Sequence, residues 1–174
     1  MKVILSWLAI SLFSASVVCA EDNPKSIAGY GKTTWGMSVE QVLEAESPRA
    51  TKLIEAEKYS KGSLGLVEIN DIKVGASTFR ASFLFDESAQ LLKQVNLTGV
   101  DKNAGSNIVT FSSIERMLTE KYGQPTFKEA YSKATWKLEQ TLVSLERVYI
   151  PSVISKVVII YKPVAAGALE SRDL

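Results

Sequence analysis

Between positions 79 and 85 the chain alternates, with Phe79, Ala81, Phe83 and Phe85 on one side and Arg80, Ser82 and Leu84 on the other. Successive side chains leave a pleated backbone on opposite faces, so this period of two commits the segment to a strand. Its apolar side must be covered by another layer. Residues 64–74 read as a preceding strand, and Leu91, Val95 and Leu97 mark a following one, with residues 86–90 as the hairpin loop. Connections this short join antiparallel neighbours.

A short helix precedes these strands. Ser38 can cap it, Gln41 can return the hydrogen bond three residues on, and Met37 can pack on Val42 across the cap. Val39, Val42 and Leu43 then share a face, and Pro48 closes the exit. After a loop rich in Gly, Asn and Asp (residues 99–107), the pattern restarts. Ser112 is the expected cap of a second helix, with Glu115 at the return position and Phe111, Ile114, Leu118 and Tyr122 as its apolar stripe. Gly123 supplies a left-handed stop, with Pro125 beyond it. Strands are expected over residues 134–138, 142–149 and 156–161. The run Val157-Val158-Ile159-Ile160-Tyr161 is apolar on both faces and belongs at the centre of a sheet.

The expected fold class is therefore α+β: two units, each a helix plus three antiparallel strands, with the helices packed on one face of the sheet. One domain should span residues 35–162, with possible tandem units at 35–98 and 110–162. A flexible lead is expected over 21–34 and a disordered tail over 163–174.

The first twenty residues read as a secretory signal: Lys2, an apolar stretch over residues 3–13, and the small-residue ending Val18-Cys19-Ala20 before a polar run. The stretch falls short of the about 20 apolar residues that a membrane-spanning helix needs, and no later segment comes closer, so no stable membrane insertion is expected. Lipid attachment at Cys19 would want Gly, Ala or Ser before it, where Val18 stands. Cleavage near Ala20 would remove the only cysteine and place the mature chain in the periplasm or outside the cell. Its stability must then come from its own core.

The sequence contains no histidine, which excludes His-dependent nucleophile systems and the usual zinc and copper sites. With Cys19 gone, thiol chemistry is excluded too. Acidic and basic residues balance once Lys2 leaves, so nothing in the charge favours nucleic acid. No cofactor or metal is called for, and no catalytic residue is assigned. The carboxylates Glu68, Asp71, Asp86 and Glu87 could supply a hydrolytic pair only if two faced each other across a cleft. They read more simply as solvated turn and strand-end charges. Gly29-Tyr30-Gly31-Lys32-Thr33 ends like a phosphate-binding loop, but Ser26 stands where the motif needs glycine. Asn96-Leu97-Thr98 matches a glycosylation triplet but falls in an expected strand. Trp35, Trp136, Tyr149 and Tyr161 could anchor an interface, yet three lie in expected strands and core placement is favoured.

The segments Trp35-Gly36-Met37-Ser38-Val39-Glu40-Gln41-Val42, Phe83-Leu84-Phe85-Asp86 and Glu120-Lys121-Tyr122-Gly123-Gln124-Pro125 resemble small exported bacterial proteins of the beta-lactamase-inhibitor-like type, similar in turn to the outer-membrane-assembly lipoproteins of the SmpA/OmlA family. The resemblance implies a helix-plus-sheet domain, sometimes in tandem, that binds another protein and performs no reaction. The chain departs from those relatives in lacking a lipid-attachment box and mature cysteines, so no functional residues are carried over. The expected function is a non-catalytic periplasmic protein-binding module, an inhibitor or immunity factor with another envelope protein as partner. The alternatives are a small-ligand or lipid carrier and a carboxylate-dependent envelope hydrolase.

Overall fold

The computed structural model describes residues 27–165. The signal segment 1–20, with Cys19, and the part of the expected tail beyond residue 165 lie outside the described residues. Elements follow the order α1 (Val39–Ala45), β1 (Thr51–Tyr59), β2 (Ser63–Val74), β3 (Ser77–Asp86), β4 (Leu92–Gly99), α2 (Ala104–Tyr122), β5 (Phe127–Glu129), β6 (Lys133–Lys137), β7 (Thr141–Ile150) and β8 (Ile154–Pro163).

The expected pair of three-strand units is not what forms. The eight strands make one antiparallel sheet in the order β1-β2-β3-β4-β8-β7-β6-β5, so the molecule is mostly sheet and each helix is followed by a four-strand meander. The two meanders meet where the last strand of each lies beside the other: β4 and β8 pair from Val95↔Tyr161 to Thr98↔Val158. Sequence reading missed β1 and β5, the two outer strands. β1 is rich in charge and lies wet on both sides at the sheet edge, while all three residues of β5 are exposed. Neither position imposes the alternation that betrays a half-buried strand.

Phe79, Ala81, Phe83 and Phe85 of β3 all face the core. Two rows cross six strands in register: Val67, Phe83, Val95, Tyr161, Val143 and Trp136 in one, Ile69, Ala81, Leu97, Ile159, Leu145 and Ala134 in the other. Val39 and Val42 of α1, with Phe111, Ile114, Leu118 and Tyr122 of α2, pack onto the same buried cluster. Each large side chain so buried stabilises by roughly 1.5–3 kcal/mol before entropy is counted. The run at residues 157–161 occupies β8 between β4 and β7, with Val157, Ile159 and Tyr161 in the core and Val158 and Ile160 on the other face, where Val158 is buried and Ile160 half-buried.

The local signals at α1 act as read: Gln41 N donates to Ser38 Oγ, and Ser38 N donates to Gln41 Oε1 at 2.9 Å. At the other end of α2, Gly123 adopts φ 86° and its N–H donates to Thr119 O. The start of α2 differs. Asn103, not Ser112, caps it by accepting from Ser106 N at 3.0 Å, and the helix begins eight residues earlier than its expected cap. Ser112 instead donates back to Ile108 O within the helix. The first turns carry Gly105, Ser106 and Asn107, residues that read as loop because of their weak helix propensity.

From Ile27 on, the segment read as a lead is hydrogen-bonded to the domain. Thr141 donates through its hydroxyl to Ile27 O at 2.6 Å and accepts from Trp35 Nε1 at 3.1 Å. Tyr30 lies edge-on to Phe83 and 5.1 Å from the Tyr161 ring. Gly36 N donates to Leu92 O and Leu92 N donates to Met37 O. Glu46, with no exposed side-chain surface, accepts from Lys32 N at 2.8 Å and pairs with Arg49 at 2.6 Å. Gly31 is needed here: its φ is 60°, and a Cβ would lie 2.3 Å from Glu46 Oε1.

Candidate functional site

The face of the sheet away from the helices carries the even-numbered residues of β3. Arg80 bridges β1 and β2 there, donating to both Glu57 carboxylate oxygens at 2.9 and 3.0 Å and reaching Glu68 at 3.4 Å. Tyr59 Oη also donates to Glu57. The Arg80 hydrogen bonds hold the Glu57 carboxyl below the usual carboxylate range, and in return raise the guanidinium. Because two carboxylates meet one cation, Arg80 contributes no excess positive charge.

Beyond Thr98↔Val158 the seam between the halves opens. β4 ends at Gly99, whose missing side chain leaves room beside Val157 O, and Val100 N then turns to donate to Thr78 O. β8 continues to Ile154 in its hairpin with β7, so the tip of that hairpin stands away from the loop leading into α2. A cleft of about 800 Å³ lies between them. Its walls come from both faces: Arg80, Thr98 and Lys156 from the open face, Tyr149, Ser155 and Ala104 from the helix side. The cleft therefore lies in the plane of the sheet.

Four apolar side chains converge on this cleft while still exposed: Val153 at 77%, Val100 at 56%, Ile150 at 51% and Tyr149 at 49%. Arg147 lies over the Tyr149 ring at 5.5 Å. Beneath the hairpin, Asn107 Nδ2 donates to Ser155 Oγ at 2.9 Å and to Asp101 O at 3.2 Å, fixing the N-terminal turn of α2 against β8. Lys102 and Lys156 stand on the rim, and neither ammonium has a hydrogen bond or ion pair among the described residues.

The TP0088 domain family matches residues 28–164. The chain belongs to that family. No curated protein and no solved structure matches it.

In this TP0088 domain the carboxylates singled out from sequence do not converge. Asp86 lies at the end of β3 opposite Ser63, whereas Asp71 lies eight residues along β2, about 25 Å away at the ordinary rise per residue. Asp86 accepts from Ser88 Oγ, Ser88 N and Ala89 N, and these bonds hold its carboxyl well below the ordinary range. It shapes the turn after β3. The Glu87 N–H donates to Gly62 O across the neighbouring turn, and Glu68 joins the Arg80 network. Among the described residues, no group of three or more His, Cys, Asp or Glu side chains could hold a metal ion. No helix among them is long and apolar enough to cross a membrane.

Of the four aromatics, Trp136 and Tyr161 are buried and Trp35 is half-buried on the core. Tyr149 alone reaches the cleft. Sequence reading missed Val100, Ile150 and Val153. The available signal was the presence of apolar residues in and beside turns, where polar ones are usual.

Proposed function

We propose that this TP0088 domain is a non-catalytic binding module of the cell envelope, exported after cleavage near Ala20, which grips another envelope protein at the seam cleft. The convergence of Val100, Tyr149, Ile150 and Val153 on one opening supports this reading, because clustered exposed apolar groups mark interaction sites in a way that scattered ones do not. Tyr149 with Arg147 adds the residue types that most often anchor protein interfaces. The resemblance to inhibitor-like exported proteins points to the same class, in which the partner is an enzyme being restrained or neutralised. Immobilised mature chain should retain a partner from an envelope extract, and an Ile150→Asp/Val153→Asp variant that keeps the native circular dichroism should lose it. Equal retention by both proteins would dismiss the cleft as the contact surface.

A second reading, a small-ligand carrier, is favoured by the cleft volume, which lies within the roughly 300–1,000 Å³ common for ligand pockets. Native mass spectrometry separates the two: a bound mass that disappears with Ile150→Asp/Val153→Asp supports the carrier.

A further inference from the structure

The recognition mode follows from what borders the cleft. β8 pairs with β7 along its whole length, but on its other side it meets β4 only from Val158 to Tyr161, with Gly99 close to Val157. Residues Ile154, Ser155 and Lys156 thus form a short strand edge with no neighbouring strand among the described residues. An edge of this kind presents backbone donors and acceptors in the spacing that another extended chain matches. The sheet's two outer edges are less suited to this: β1 is broken by a register shift between Lys52 and Glu57, and the three residues of β5 are all exposed, whereas Ser155 in the β8 edge is buried. The cleft beside β8 lies in the sheet plane, where an added strand would sit, and is walled by side chains from both faces.

Charge selects the occupant. Lys102 and Lys156 flank the edge without partners among the described residues, while the positive charge of Arg80 is already met by Glu57 and Glu68. Asp101 is the acidic neighbour of Lys102, and its carboxylate accepts from Asn103 N. A lysine on an open edge discourages pairing with an apolar strand, and the same charge favours an acidic one. We propose that the cleft receives an extended acidic segment of the partner protein, which adds as a short strand to β8 at Ile154, Ser155 and Lys156, its carboxylates meeting Lys102 and Lys156 and its apolar side chains meeting Val100, Ile150 and Val153. This rests on the protein-binding reading above and names the chemistry of the partner segment.

Selection of a displayed random hexapeptide library on the mature chain tests it. Enriched peptides should combine Asp or Glu with apolar residues, and their affinity should fall with added salt. The Lys102→Glu/Lys156→Glu variant should bind them at least about tenfold more weakly and select basic peptides instead. N-methylation of every second backbone amide of an enriched peptide should abolish binding in one register and spare it in the other, as strand addition requires. Absence of enrichment, unchanged affinity after charge reversal, or indifference to N-methylation would each overturn the proposal. If Ile150→Asp/Val153→Asp abolishes partner retention while the lysine reversal leaves it intact, the protein-binding reading stands and this one falls.

Discussion

The two halves share one element order and solve the same covering problem differently. In the second half α2, with 19 residues, lays Phe111, Ile114, Leu118 and Tyr122 along the sheet. In the first half α1 has seven residues and buries only Val39 and Val42. Ile27, Tyr30, Trp35 and Met37 of the preceding chain pack onto the core beside it. A non-helical strap thus covers what a longer helix would have covered. It also does something a helix confined to its own half would not: through Thr141 it is hydrogen-bonded to β7 of the other half.

The largest contrast lies in the helices. Phe111→Ala should cost about 3–5 kcal/mol, as deletion of a fully buried aromatic does, whereas Val42→Ala should cost roughly 2 kcal/mol. Denaturant midpoints compare them directly. Equal losses would mean that α1 bears as much of its half as α2 does.

A smaller effect tests the strap. Thr141→Val removes the acceptor of Trp35 Nε1 and the donor to Ile27 O together, for an expected loss of about 1–3 kcal/mol. Combining it with Trp35→Phe should give a double variant less destabilised than the two single losses imply. Strict additivity would show that Trp35 and Thr141 do not work as a pair.

The smallest effects concern pH and divide along the same line. Burial, reinforced by the neighbouring Tyr122 phenol, pushes the Tyr161 phenol well above its ordinary range. A raised folded-state pKa means that its contribution is complete below the unfolded value of about 10 and is lost as pH climbs past it. Tyr161→Phe should therefore flatten the alkaline fall in stability. Asp86 in the first half has the opposite sign: its lowered pKa gives a contribution present above about pH 4 and lost as pH drops. Asp86→Asn should flatten the acid limb, by less because the group is at the surface. Stability curves whose two limbs are unchanged in these variants would remove both assignments.

Local chemistry was legible in the sequence wherever one residue decides a local geometry: the Ser38 and Gln41 cap, the Gly123 stop, and the alternation from Phe79 to Phe85. Edge strands were not, because β1 and β5 lack the buried face that writes a pattern into sequence. The count of three strands per unit failed for that reason. The candidate site was the least legible part. It arises where β4 and β8 part company, and Val100 and Val153 become neighbours of one opening only after two distant hairpins are laid side by side.

The seam has one more consequence. Because each meander ends on the strand that joins it to the other, a polypeptide cut between β4 and α2 would leave an inner strand bare in both fragments. Neither fragment would be self-sufficient, and each would seek a substitute in another molecule. Two copies of either piece could then meet strand to strand, rebuilding as a dimer the continuity that the intact chain achieves alone.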